Sequence, residues 1–204
     1  MILTDENESI VCGNVTLDKR SKDYKIVLSK NGKAAFINDC VVTKFSEYIG
    51  NVNVVCFSPD DVSLFKESPS IRRSFLDKEL SSLFPIYLKH LILIKKFLEE
   101  RNSLLKGNVD MSLLEVLDDK IIETSYEIFK RRKWLISKIE EFATNIYKQL
   151  TNESQQIRIS YQTFLDEVDQ NEYLMKAKKM YQKAFVKDKE KSYTTIGIHK
   201  DDFN

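Results

Sequence analysis

The stretch PIYLKHLILIKKFLEERNSLLKGN, residues 85–108, decides the fold. Its large apolar residues recur every three or four positions between Leu88 and Leu98, which is the spacing of one buried helix face. Pro85 suits a first helical turn, where no backbone N–H is required, and Gly107 with Asn108 breaks the helix. A longer helical pattern follows over residues 112–150. Two long helices joined by so short a break are predicted to form an antiparallel hairpin.

The longer helix carries a nearly heptad apolar stripe, which predicts that this face is buried. The stripe consists of Leu114, Leu117, Ile121, Ile128, Leu135, Ile139, Phe142, Ile146 and Leu150. Because the second helix of the hairpin outruns the first, we expect the preceding helix, residues 71–83, to cover its base.

The first third of the chain has the pattern of β-structure, with short alternating runs separated by turn residues. Asn31 and Gly32 suit the positive φ angles of a tight hairpin, and Asn38 with Asp39 predicts a second turn. Residues 41–50 are predicted to form one short helix that ends at its glycine. Strands are predicted over residues 11–17, 24–29, 33–37 and 52–57.

Beyond the long helix, residues 155–161 and 193–198 are predicted strands, and residues 171–187 are a predicted basic helix. Strands before and after a helical excursion indicate one sheet that is interrupted by an inserted arm. The fold class is therefore α+β, a mostly antiparallel sheet lobe with an inserted antiparallel helical hairpin. We place the sheet lobe at residues 1–68, the arm at 69–156 and the return to the lobe at 157–204.

Composition excludes several classes of protein. Of 204 residues, 42% are apolar and 31% are charged, and the net charge of +1 gives no global argument for nucleic-acid binding. No apolar run approaches the roughly 18 residues of a membrane helix, so no membrane partner is expected. Cys12, Cys40 and Cys56 have no metal-ligand spacing, and we expect them to be reduced thiols in a cytoplasmic protein.

The chain contains no complete active site. There is no GxxxxGK[ST] phosphate loop, and GxSxG, HExxH and cysteine clusters are also absent. His90 lies within an apolar helix, where a packed or surface histidine is a better interpretation than a metal ligand. We therefore predict no metal site and do not expect this chain to be an enzyme.

Three polar stretches have an unusual residue order: FSPDD at 57–61, SPSIRRSFLD at 68–77 and GIHKDD at 197–202. In the first, Ser58 or Asp60 suits a helix N-cap. In the second, Ser68 or Ser70 suits the same role, and two arginines follow in the first turn. Because arginine there opposes the helix dipole, we expect an anionic partner, either a carboxylate such as Asp77 or Asp61 or a phosphate.

In this order and spacing the stretches resemble the signature of the RecF family, in which a strand enters FSPEDL and is followed by GSPxxRRxFLD and later by TxxGPHRDD. Tyr87 and the run RNSLLK at 101–106 also resemble the family pattern. Three positions depart from it: Glu67 replaces glycine, Ile198 replaces proline and Lys200 replaces arginine. The matching residues are Ser68, Pro69, Arg72, Arg73, Asp77, His199, Lys200, Asp201 and Asp202, where Lys200 keeps only the charge.

The resemblance implies an ABC-type ATPase head of the SMC-like kind with an arm inserted into it. It also implies a DNA repair protein that binds gapped DNA as an ATP-dependent homodimer and, with RecR and RecO, helps load RecA. Ser58, Asp60 and Asp61 fall where related heads have their Q-loop, so they are expected near the nucleotide.

The family's phosphate loop is expected before residue 1, and its signature motif and Walker B carboxylates are expected after residue 204. The full-length protein is thus expected to need ATP and Mg²⁺. This internal fragment by itself is expected to hold no cofactor and not to hydrolyse ATP.

Two basic groups are candidates for DNA contact, residues 130–133 and 176–191. Within the second we select Lys176, Lys179 and Lys183, and a solvated surface is the competing interpretation. No base-reading motif is present, so contact would be independent of DNA sequence. Tyr173, Tyr181 and Tyr193 interleave with these lysines and suit either core packing or stacking on bases. The alternative function is a degenerate helical-arm module that binds protein without nucleotide.

Overall fold

A computed structural model describes residues 2–52, 58, 62, 64–151, 156–166 and 169–204. The chain forms two compact units, one of Met1–Val55 with Ser81–Pro85 and the other of Cys56–Leu80 with Ile86–Asn204. Antiparallel strands and long helices occupy separate stretches, which confirms the α+β class. The predicted lobe boundaries at residues 68 and 156 stay a prediction.

The first unit contains a four-stranded antiparallel sheet in which consecutive strands are neighbours. Asp18 with Lys19, and Asn38 with Asp39, adopt positive φ at two of its turns, as tight hairpins require. The turn at Asn38 was predicted from the sequence and is confirmed. The strands are β1 (Glu8–Leu17), β2 (Arg20–Ser29), β3 (Gly32–Ile37) and β4 (Cys40–Val42).

Two predictions in this unit were wrong in detail. The hairpin predicted at Asn31 and Gly32 joins β2 to β3, and it turns at Lys30 and Asn31 because Gly32 already pairs with Ser29 in the ladder. The helix predicted over residues 41–50 is mostly absent. Its first residues continue β4, because the turn at Asn38 returns them to β3, and only α1 (Phe45–Tyr48) is helical. The strand predicted over 52–57 lies outside the described residues apart from Val52, which is not in a strand.

Four longer helices follow, and all four were predicted to within a few residues. Asp169 caps the last of them by accepting a hydrogen bond from the Glu172 N–H, and Ser192 ends it in a left-handed conformation. The helices are α2 (Pro69–Leu83), α3 (Pro85–Lys106), α4 (Met111–Thr151) and α5 (Gln170–Lys191). Among the described residues no helix is both long enough and apolar enough to span a membrane.

α3 and α4 form the predicted antiparallel hairpin. Contacts join Tyr87 to Arg132 near the start of α3, Phe97 to Lys120 in its middle, and Arg101 to Asp118 near its end. Partner numbers fall along α4 as they rise along α3, which is the register of antiparallel helices. α5 packs along α4 as well, so the hairpin gains a third helix.

The apolar stripe of α4 is buried only over its first part. Leu114, Leu117, Ile121, Ile128 and Leu135 are buried, whereas Phe142, Ile146 and Leu150 are 63%, 59% and 77% exposed. α3 begins at Pro85, which places its start near Arg132, so α4 continues beyond the end of its partner. The last turns of the stripe therefore extend past α3, as expected from the greater length of the second helix.

Both strands predicted after the arm were also wrong. Of residues 156–161, the part of the first that the structure describes, only Tyr161 belongs to β5 (Tyr161–Gln162), and 193–197 form a loop that leads into a 3-10 turn (Ile198–Lys200). Glu140 accepts from the Ile159 N–H at 2.6 Å, and only Ser160 continues the pairing, through backbone hydrogen bonds with Asn204 at 2.7 and 3.1 Å. β5 pairs with β6 (Asp202–Phe203), and within the described residues this pair is separate from the β1–β4 sheet. The expected single interrupted sheet is thus not seen there.

Candidate functional site

Arg72 in the first turn of α2 is held by Asp202, near the end of the chain. Its Nε and Nη2 donate to the two carboxylate oxygens at 2.7 and 2.6 Å, and its Nη1 donates to the Glu67 carbonyl at 2.6 Å. The bonded guanidinium lowers the pKa of Asp202. The predicted anionic partner is therefore an internal carboxylate, but it is Asp202 and not Asp77, and Asp61 lies outside the described residues.

Asp77 instead pairs with Arg132 of α4, which is only 3% exposed. Arg132 Nη2 lies 2.9 Å from Asp77 Oδ1, and its Nη1 donates to the Ile198 carbonyl at 2.8 Å. The Tyr87 hydroxyl donates to Asp77 at 2.6 Å and accepts from Arg132 Nε at 3.1 Å. Arg132 belongs to the basic run 130–133 that was a candidate DNA surface, so for this residue the prediction was wrong.

Asp201 lies on the other side of Arg132. Its carboxylate accepts from the Tyr161 hydroxyl and lies 3.6 Å from Arg132 Nη1, while its carbonyl accepts from Arg73 Nη1 at 2.6 Å. Burial raises the pKa of Asp201 to about 6 and lowers that of Arg73. The motifs at 68–77 and 197–202 are thus joined through Arg72, Arg73 and Arg132 into one cluster, which we call the motif junction.

The turn beside the motif junction requires glycine. Gly197 has φ of +117°, and a Cβ there would collide with the Tyr181 hydroxyl. His199 Nε2 lies 3.3 Å from the Thr194 carbonyl, whereas its Nδ1 is buried without a partner among the described residues. Burial lowers the pKa of His199 to about 4, so the imidazole is neutral at pH 7. Lys200 is exposed, and its Nζ lies 5.8 Å from the centre of the Tyr193 ring.

A second buried arginine joins three helical segments. Arg101 of α3 is fully buried and donates to Asp118 at 2.6 Å, to Asp188 at 2.8 Å and to the Thr194 hydroxyl at 2.9 Å. Asn102 accepts from the Thr194 N–H at 2.7 Å. The RNSLLK run therefore anchors the loop that leads to the motif junction.

The buried ion pairs of Arg101 and Arg132 were not predicted, although a signal for both was present. Arg132 follows Ile128 by four positions and precedes Leu135 by three, so it lies on the buried stripe. Arg101 lies three positions after Leu98 on the buried face of α3. A charged residue in an apolar register indicates a buried ion pair, and the run of four basic residues hid that register for Arg132.

The lysine candidates on α5 lie on one side of the helix. Lys179 and Lys183 are exposed and have no partner among the described residues, whereas Lys176 bonds Glu172 at 2.6 Å. Lys187 is also exposed and continues the row at the next turn. Tyr173 and Tyr181 are 0% and 1% exposed and pack in the core, so stacking on bases is excluded for them in this conformation.

The described residues hold no group of three or more histidine, cysteine or acidic side chains that is suited to a metal ion. Ser58 is half-buried, and Asp60 and Asp61 lie outside the described residues. Their expected position near a nucleotide stays a prediction.

Comparison with known proteins places this geometry in a family. No family model matches the chain. Two curated relatives, both named DNA replication and repair protein RecF, come from Streptococcus pneumoniae strains ATCC 700669 / Spain 23F-1 and D39 / NCTC 7466. Each is 32% identical over 206 aligned residues, which is 100% of this chain and 56% of the relative. The chain belongs to the RecF family.

Solved structures agree with this assignment. Two structures of the recombination mediator protein RecF of the RecFOR pathway, RecF-ATPrS and RecF-ATP, match with TM-scores of 0.88 and 0.90 at 29% and 30% identity. Each match covers 98% of this chain and 56% of the solved one. The chain thus spans about half the length of the RecF proteins that it matches.

The three departures from the RecF pattern fall where the structure tolerates them. Glu67 contributes its carbonyl, which any residue supplies, to Arg72. Ile198 likewise contributes its carbonyl to Arg132, and its side chain is buried. Lys200 is exposed, and its Nζ lies over the Tyr193 ring. At Glu67 and Ile198 the contact is thus made by the backbone, so the identity of the side chain does not enter it.

His199 should make stability depend on pH. Its pKa is lowered on folding, from about 6.5 to about 4, because burial disfavours the charged imidazole, so the folded state loses stability as pH falls through this window. Asp201, with a raised pKa, changes stability in the opposite direction. The measured quantity is the unfolding free energy of the wild type minus that of His199→Gln. We expect this difference to decrease as the pH is lowered from 6.5 to 4. Urea titrations at several pH values measure it, and a constant difference would contradict the buried neutral imidazole.

Proposed function

We propose that this chain is the arm-bearing part of a cytoplasmic DNA repair protein that recognises single-strand gaps. In this proposal the full-length protein binds gapped DNA as an ATP-dependent homodimer and helps load RecA together with RecR and RecO-like mediators. The observation that carries the proposal is the likeness to RecF over the whole chain, at 32% identity and a TM-score of 0.90.

The contribution of the chain to this function is positioning. Two buried arginine clusters connect the first turn of α2, the helices α3 to α5 and residues 198–202. We propose that residues 69–156 are the arm and that 1–68 and 157–204 belong to the head. ATP and Mg²⁺ would be held mainly by residues outside this chain, with Ser58, Asp60 and Asp61 near them.

We assign DNA contact to the lysine row of α5, Lys176, Lys179, Lys183 and Lys187. Steps of three and four residues correspond to about 4.5 and 6 Å along a helix, so the ammonium groups form a line and not a ring. Lys179 and Lys183 have no carboxylate partner among the described residues. Unpaired lysines in a line neutralise successive phosphates and release their counterions, which gives affinity without reading sequence.

The triple variant Lys176→Glu, Lys179→Glu and Lys183→Glu should weaken binding to gapped DNA by more than about tenfold at low salt. It should also reduce the slope of log K against log salt by about two to three, since each lost phosphate contact removes about 0.9. Fluorescence anisotropy with a gapped duplex at several salt concentrations measures both quantities.

The matched control changes Lys95, Lys96 and Lys106, which are exposed on α3, to glutamate, for the same change in net charge. If both triple variants bind alike, the contact is not on α5. The role of ATP is tested by the same titration on the full-length protein with and without ATP. Binding that is indifferent to ATP, or absent altogether, would favour the alternative of a nucleotide-independent protein-interaction arm.

A further inference from the structure

A cavity of about 420 Å³ lies between the first turns of α4 and the middle of α5. Met111, Leu114 and Phe185 supply apolar walls, and Glu115 and Asp118 supply carboxylates. This volume is within the range of small-ligand pockets in proteins. The contacts assigned to DNA and to the motif junction do not use this space.

Asp118 lines this cavity. It is 9% exposed, and its Oδ1 accepts from Arg101 Nε at 2.6 Å. Its Oδ2 has no hydrogen-bond partner among the described residues. Burial raises the pKa of Asp118, so its charge is incompletely compensated. A hydrogen-bond donor with positive charge would satisfy both the free oxygen and the charge.

The surroundings contain more carboxylates than cations. Arg101 is shared between Asp118 and Asp188, and Lys178 is shared between Glu115 at 3.1 Å and Asp119 at 3.0 Å. The charged residues that line the cavity itself are Glu115, Asp118 and Lys178, which is an excess of one negative charge. Excess negative charge beside apolar walls repels phosphates and attracts a cation that has an apolar body.

We propose that this cavity binds a cationic head group, guanidinium, amidinium or ammonium, carried on a short apolar body. The head group pairs with Asp118 Oδ2, and the apolar body packs against Leu114 and Phe185. A basic side chain of a partner protein and a free organic amine share this chemistry, and titration with a peptide and with a small cation distinguishes the two.

The 204-residue chain is titrated with benzamidine and, in parallel, with benzamide, which has nearly the same shape without the charge, by ¹⁵N-detected chemical shifts. Benzamidine should give saturable shifts in residues 111–118 and 178–185, with at least about tenfold tighter binding than benzamide. Tighter binding of an acetyl-Leu-Arg-Leu-amide peptide would identify a protein side chain as the source, and preference for benzamidine would identify a free cation. Equal binding of benzamidine and benzamide, or no binding of either cationic probe, overturns the proposal.

Gln182 lines the cavity and is exposed, so a charge can be introduced at this position without breaking a buried contact. Gln182→Glu should tighten benzamidine binding about threefold to tenfold, and Gln182→Lys should weaken it by at least about tenfold. Gln149→Lys, far along α4, makes the same charge change as a control and should have no effect. Opposite responses at position 182 support the proposal, and equal responses there overturn it, whatever the outcome for DNA.

Discussion

Replacing Arg132 by methionine should lower the free energy of unfolding by about 3–5 kcal/mol, a loss typical for one partner removed from a buried ion pair. Methionine keeps much of the apolar stem but leaves the Asp77 carboxylate without its cation and the Ile198 carbonyl without its donor. Asp201 loses its neighbouring charge as well. Urea unfolding followed by the fluorescence of Trp134, the single tryptophan, measures the loss.

The control for Arg132 is on the next residue of the same helix. Lys133 pairs with Asp166 at 3.0 Å, but the two side chains are 42% and 74% exposed, so Lys133→Met should change stability by less than about 1 kcal/mol. Adding Asp77→Asn to Arg132→Met should recover part of the loss, because the amide does not need a counter-charge. Equal effects of the two methionine variants would show that Arg132 is not buried as described.

Arg101→Met should cost a similar amount, about 3–5 kcal/mol, because two carboxylates then lose one cation. Asp188 is fully buried and would retain only the bonds from Thr195, and Asp118 would lose its only hydrogen bond among the described residues. The guanidinium also lies 5.2 Å from the centre of the Tyr181 ring, a contact that methionine replaces only in part.

The exposed pair of Lys96 and Glu100 on the same helix provides the comparison for Arg101. Its atoms are 3.8 Å apart and mostly exposed, so Lys96→Met should be nearly neutral. A second readout is hydrogen exchange of the Thr194 N–H, which donates a hydrogen bond to the Asn102 side chain. It should lose protection in Arg101→Met, since Arg101 holds the Thr194 hydroxyl. Unchanged protection there would contradict the anchoring role of Arg101.

The residues of the RecF motif form an internal network of ion pairs and hydrogen bonds in this chain. Arg72, Arg73, Asp77, Asp201 and Asp202 contact one another or Arg132. The anionic partner expected for the arginines is thus supplied by the end of the same chain. The motif residues join α2 to α4 and to residues 201 and 202, and the proposed contact with DNA is at a different place, on α5.

Local pattern sufficed for part of the structure. The helices α2 to α5, the turn at Asn38 and the antiparallel hairpin follow from three- and four-residue spacing, proline and glycine positions and short connections, all of which act between residues close in sequence. The family assignment followed from the order of three short motifs. The lysine row on α5 could also be read from spacing, because it needs only the geometry of one helix.

Tertiary structure alone decided the partners of the charged residues and the ends of the elements. Arg72 with Asp202, Arg132 with Asp77 and Arg101 with Asp188 join residues far apart in sequence, and local spacing does not identify which carboxylate each arginine meets. The exposed end of the α4 stripe and the missing strands at 155–161 and 193–198 have the same cause. Burial and strand pairing depend on which segment arrives from elsewhere in the fold, whereas a helix satisfies its backbone hydrogen bonds within itself.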